Sequence, residues 1–428
     1  MRQFLFAMVV VEACISSSVQ AAETPPFDVC DVSFLIPPSM HSIRLAGGEG
    51  QRPLLSRELF ENFEDFVKRG HPHLSTDEVY KHLVVTSIRF DPCGPKYPEE
   101  WDLHKCVLPN LRVIAQVYKD GVTTNAALHM VFLLRPLSDL SVVDGKPQPN
   151  AALDPQMRDD VISQLASMKY GNASFGIVTN GVSAGVHPVF TYRHRDSARV
   201  PEFEAELTSL LKKYCVEDRY FFTAVMFTDE VFGASNPEKE RWVWQKANID
   251  RSTGKIVFRF GGIPGFDPEL KEQAFTGDRD RRSGGAITPS STLSSNGIRN
   301  IAVEAILKNV AQINESQLPA AVDATDRLEN PDHVLVQTDD CASCHVTTTA
   351  REYALYSSGN LSHDRTLRYE FKADSRLTST LDETQYLLQR SNGYRVLSFA
   401  FFDGTPSVSQ RTVNESLQAA HVVNQLRE

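Results

Sequence analysis

Helix-like and strand-like patterns follow one another along this chain without a regular β-α-β alternation, and that irregular order most limits the folds open to it. A doubly wound parallel sheet needs a helix between successive strands. Here Leu83–Phe90, Leu111–Tyr118, Ala126–Leu134 and Tyr220–Phe227 are β-rich or nearly all apolar. Arg241–Ile249 and Lys255–Phe260 alternate on either side of Ser252-Thr253-Gly254, which predicts a hairpin. Val32–Ile36 reads as a strand stopped by Pro37-Pro38, and Tyr394–Phe402 as a late strand before the turn residues Asp403-Gly404-Thr405-Pro406. Helices are expected over Ser56–Val67, Asp154–Met168, Pro201–Tyr214, Ile298–Ile313 and Ser407–Leu426. In the last of these, Ser407 and Gln410 have capping-box spacing. The expectation is an α+β fold of antiparallel sheets with packed helices.

The N-terminus has the pattern of a secretory signal over residues 1–21: Arg2, the apolar run Phe4–Val11, and small residues at Val19-Gln20-Ala21. Lipidation at Cys14 is the rival reading, weakened by Glu12 close before it. No later stretch reaches the ~20 apolar residues of a membrane helix. A periplasmic or extracellular location without a transmembrane segment follows as the expectation. Thr276–Gly285 and the Ser/Thr-rich stretch to Asn296 are poor in apolar residues. They suggest a linker over 276–297, between an N-terminal α+β domain at 22–275 and a C-terminal region at 298–428. The net charge of −10 disfavours nucleic acid as a partner and would suit a basic redox partner. It is also ordinary for a secreted protein.

Seven cysteines are present, six of them beyond Cys14. Cys93 and Cys106 flank a turn-forming stretch with Pro95 and Pro98, so a disulfide between them is expected in an oxidising compartment. Cys30 and Cys215 then pair with each other or stay reduced. The remaining two stand in Cys341-Ala342-Ser343-Cys344-His345. Two thiols three positions apart can add to the two vinyl groups of one haem, and the adjacent imidazole can ligate its iron. This pentapeptide resembles the attachment motif of c-type cytochromes, and the resemblance covers nothing else in the chain. It implies one covalent haem c, with Cys341 and Cys344 as thioethers, His345 as axial ligand, and one-electron transfer as the role.

The chain departs from the small all-α cytochromes in two ways. The lead-in to the motif, Asp332–Thr338, reads as extended, and no methionine follows Met226. A downstream methionine ligand is therefore excluded, which leaves a histidine, a methionine from the N-terminal region, or an open position. His363, in a polar loop, and His421, on the last helix with Val413 and Leu417, are the foremost histidines, with His333 a third. An open position would make a haem enzyme. Whether the protein is an enzyme is left undecided by the sequence. The competing reading is a secreted binding or structural protein with a Cys341–Cys344 disulfide. A redox dithiol is disfavoured because Val346-Thr347-Thr348-Thr349 are weak helix formers. His71-Pro72-His73 with His82 form a lesser histidine group, more simply solvated loop residues than a metal site. Asn172, Asn314, Asn360 and Asn414 head glycosylation sequons.

Overall fold

A computed structural model describes residues 26–40, 43–48, 50–93, 108–143, 146–149, 155–177, 179, 182, 184–190, 198–229, 241–250, 255–258, 271–276, 318–332, 341, 344–349, 351, 396–402 and 404–427. The expected helix at 298–313, nearly all of the polar stretch 276–297, and the lead-in at 333–338 lie outside them.

The expected α+β architecture is present, and it is not a small all-α cytochrome fold. The strands are β1 (Ser33–Leu35), β2 (Leu83–Asp91), β3 (Asn110–Lys119), β4 (Val122–Leu133), β5 (Leu140–Val143), β6 (Lys146–Pro149), β7 (Gly185–Val186), β8 (Tyr220–Asp229), β9 (Arg241–Asp250), β10 (Lys255–Phe258), β11 (Gln273–Thr276), β12 (Phe399–Phe402) and β13 (Thr405–Val408). Nine of them make one sheet in the order β10-β9-β8-β4-β3-β2-β1-β7, with β11 also on β9. Every pairing in it is antiparallel except β1 with β7. The β3–β4 hairpin turns on Asp120-Gly121, both at positive φ, and Lys119 pairs with Val122. A two-residue Asp-Gly connection matches the right-handed twist of its strands.

The helices are α1 (Val29–Val32), α2 (Arg57–Phe60), α3 (Glu64–Lys68), α4 (Thr76–His82), α5 (Pro155–Ser174), α6 (Arg199–Tyr214), α7 (Leu318–Glu329) and α8 (Gln410–Arg427). The single helix expected over 56–67 is two short ones, because the chain breaks at Phe63, the non-helical N-cap of α3. Phe60, Phe63 and Phe66 are all buried nonetheless. Helix α8 starts three residues later than expected. Ser407 is a strand residue paired with Ala400, so its capping-box role is lost. Ser409 caps instead, its Oγ accepting from Thr412 N–H at 3.2 Å.

Register assigns each side chain to one of two sheet faces, since directly opposed residues share a face. One face carries Phe34, Ile88, Val113, Met130, Val225 and Phe227. It is covered by the helices of the N-terminal half: Phe203 of α6 meets Phe34 edge-on at 5.7 Å, and Arg69 after α3 lies over the Phe227 ring. The opposite face carries Ser33, Arg89, Arg112, Gln116, His129, Trp244 and Lys246. The C-terminal residues cover it. The Gln116 carboxamide donates to Phe401 O at 2.7 Å and accepts from Phe401 N–H at 2.8 Å. Trp242 meets Phe402 edge-on, and Ser416 donates to Ser33 at 2.8 Å. At the far end Asn424 makes two hydrogen bonds with the Phe27 backbone, at 2.7 and 3.0 Å. Val413, Leu417, Ala420 and Val423 of α8 belong to the same buried core as the sheet.

Candidate functional site

Cys341 and residues 344–349 are helical, as is Arg351. The weak helix formers Val346–Thr349 were expected to resist this, and tertiary burial overrides their propensity. All four are buried. Thr348 donates from Oγ1 to Glu329 Oε1 at 2.6 Å, and the same oxygen accepts from Gln410 N–H at 3.1 Å. Arg351, fully buried, is paired with Glu329 and lies 3.7 Å from Asp326 of α7. The segment is thus fixed to α7 and α8 by polar groups that its intrinsic preference does not reveal. Cys341 and Cys344 fall three apart, on one side of a helix. Both are half-buried thiols in this structure. The argument against a dithiol from poor helix formers fails, because tertiary burial overrides their propensity.

His345 is held from two sides. Its Nδ1 lies 2.6 Å from Leu397 O, while Leu397 N–H donates to His345 O at 2.8 Å. A carbonyl only accepts, so Nδ1 carries the proton and Nε2 presents its lone pair. The ring stacks on Trp244, centroids 5.8 Å apart at 27°. Burial pushes the His345 pKa below its usual value, opposed by the Leu397 hydrogen bond. The imidazole is therefore neutral, oriented and backed by an aromatic plane. That combination suits a metal ligand, whose second nitrogen commonly donates to a backbone carbonyl.

Around it the sheet contributes charge. His129 of β4 opposes Ala224 of β8, which in turn opposes Lys246 of β9. Burial, with Arg112, Arg89 and His345 nearby, lowers the His129 pKa to about 3. Lys246 lies over the Phe222 ring; burial lowers its pKa, and the neighbouring Cys341 opposes that shift. Farther along the face, Glu415 of α8 takes Arg89 at 2.5 Å, Arg411 at 2.7 Å and Arg112 at 3.7 Å. Burial alone would raise the Glu415 pKa, but Arg89, Arg411 and Arg112 hold it well below the carboxylate range.

The remaining sequence candidates are dispersed. His421 is half-buried on α8, six residues beyond Glu415. His363, His333 and Cys106 lie outside the described residues. Cys93 is disulfide-bonded, while Cys30 and Cys215 are buried thiols, Cys30 donating to Thr179 O. His71 is a satisfied core residue, bonded to Phe66 O and Thr124 Oγ1 at 3.0 Å each. Asn172 and Asn414 are buried and hydrogen-bonded, Asn172 to Arg199 and Asn414 to Glu329 O, so neither is presented to a glycosylating enzyme. His129, Arg89, Arg112 and Lys246 were not anticipated. Among the described residues there is no group of three or more His, Cys, Asp or Glu placed to hold a metal ion, and no helix long and apolar enough to cross a membrane. No protein-family model, curated protein or solved structure matches the chain.

Proposed function

We propose that the chain is a secreted or periplasmic c-type protein that carries one haem and transfers single electrons. Cys341 and Cys344 would hold the group through thioethers, and His345 would ligate the iron. The observation that carries this reading is the hydrogen bond from His345 Nδ1 to Leu397 O, which frees Nε2 for a metal. Two thiols one helical turn apart and a neutral imidazole beside them form a donor set that fits the group. When bound, haem supplies the redox couple. The chain's residues set its ligation, its burial and the charge around it. Trp244 limits rotation of the His345 ring, and Lys246 places a positive charge beside Cys341. A redox protein with a basic surface is the partner that the acidic chain suits, and nucleic acid is not expected.

The test is expression of the full chain with haem-attachment machinery, followed by a pyridine haemochrome spectrum after acid–acetone extraction. A retained c-type signature, reduced to a single thioether in Cys341→Ser, is expected. Colourless protein would overturn the reading. A second reading, a redox dithiol, is favoured by the helical placement of both cysteines and by Lys246 next to Cys341. It predicts colourless protein whose Cys341 reacts with iodoacetamide faster than an ordinary thiol does at pH 7. Carbon monoxide binding to reduced, haem-loaded protein would point to an open site and enzyme chemistry.

A further inference from the structure

We infer that His129 is the second axial ligand of the iron held by His345. This rests on the haem reading above, and it differs from the sequence candidates His363 and His421.

The first observation is an orphaned atom. Among the described residues His129 Nε2 is shielded from solvent and has no hydrogen-bond partner. A buried imidazole nitrogen left unmade is costly, and Arg89 Nε and Trp244 Nε1 on the same face also lack a partner among the described residues. By contrast His71 has a partner on each ring nitrogen, and His345 has Leu397 on Nδ1. The second observation is position. His129 stands on the sheet face that the motif helix covers, in one cross-strand row with Ala224 and Lys246. Trp244, the platform for His345, is the next residue on that face of β9.

The third observation is the polarity of the surroundings. Two of the side chains next to His129 on its face, Ala127 and Ala224, are the smallest that a sheet interior holds apart from glycine. Phe222 flanks the ring at 6.3 Å. Ile114 of β3, directly opposite His129, completes an apolar surround with the two alanines and the phenylalanine, while Arg89 and Arg112 act on the ring electrostatically. A flat macrocycle with an apolar body and acidic edge substituents matches that layout. A β4 strand in the middle of the sheet also makes a rigid support for a ligand, unlike a loop.

The experiment uses the full chain loaded with haem, and its readout is spectroscopic. In wild type, six-coordinate low-spin absorption and electron paramagnetic resonance are expected in the oxidised state. His129→Ala is expected to retain covalent haem but become high-spin, and added imidazole is expected to restore the low-spin signal. His129→Met, which keeps a ligating atom, is expected to remain low-spin with a raised reduction potential. It also serves if the alanine variant folds poorly. A low-spin spectrum unchanged in a folded His129→Ala protein would overturn the inference and leave the haem reading standing. So would conversion to high spin by His421→Ala or His363→Ala with His129 intact. Absence of covalent haem from wild type would overturn both.

Discussion

Replacing Gln116 with leucine tests whether the C-terminal residues are bound to the sheet by a peptide-like clamp. The Gln116 carboxamide is buried, donates to Phe401 O and Thr124 O, and accepts from Phe401 N–H. Leucine has similar volume, so a cavity contributes little. The change instead leaves a buried N–H and a carbonyl of Phe401 without that partner, at about 1–3 kcal/mol for each stranded group. A loss of about 2–5 kcal/mol is expected, because β12 has one strand partner, β13, and the Gln116 side chain hydrogen-bonds the Phe401 backbone to the main sheet alongside the apolar contact of Phe402 with Trp242. Urea unfolding followed by tryptophan fluorescence reports it, since Trp242 lies against Phe402 at 5.2 Å. Amide exchange at Phe401 should accelerate more than exchange at Val113 in the sheet centre. A destabilisation below about 1 kcal/mol, with Phe401 exchange unchanged, would refute the clamp.

Asn424→Ala removes both hydrogen bonds to the Phe27 backbone and should cost about 1–3 kcal/mol in urea unfolding. Glu415→Gln takes a carboxylate away from three buried guanidinium groups and should cost about 3–5 kcal/mol, more than a surface carboxylate would. Burial lowers the pKa of His71 to about 4 and of His187 to about 3, with Lys169 and Arg199 adding to the latter shift. The unfolded chain takes up these protons near pH 6.5, so stability is complete above that pH. It should fall by up to about 1.4 kcal/mol per unit for each histidine as pH drops from 6.5 toward 4, and chemical unfolding at a series of pH values measures the slope. For the proposed Cys93–Cys106 disulfide, Cys106→Ser should lose about 3 kcal/mol, and peptide mapping of the unreduced wild type should recover the linked pair.

The strands were legible because their evidence is local. Leu83–Phe90, Tyr220–Phe227 and the 241–260 hairpin carry enough β-branched and aromatic residues for period and composition to agree. The Asp120-Gly121 turn was equally local and could have been read. Where the reading failed, a distant partner decides the conformation. Val346–Thr349 are helical because Glu329 and Gln410 bond to Thr348. Ser407 is a strand residue because Ala400 opposes it, 7 positions back. In the site, Cys341, Cys344 and His345 were visible as a motif. His129 was not, since a lone histidine in a nearly apolar strand carries no spacing signal.

The polar positions of the sheet explain why the site was only half visible. Arg89, Arg112, Gln116, His129 and Lys246 sit at alternate positions of four strands, and alternation of this kind ordinarily means a face turned to water. A chain-local reading therefore expects one buried face and one solvated face. Here α8, the β12–β13 hairpin and the motif helix close over the second face, and its polar groups become interior groups that need partners. Glu415 takes the arginines and Phe401 takes Gln116. The His129 Nε2, Arg89 Nε and Trp244 Nε1 atoms are left over among the described residues, beside the helix that carries two thiols and an oriented imidazole. A seam with apolar patches, buried cations and unsatisfied nitrogens is expensive if its only task is to join two layers. Well-packed leucines would join them with less desolvation. The same seam is economical as a site for a flat apolar group with charged edges, and this is why the haem proposal and the His129 inference stand on one surface.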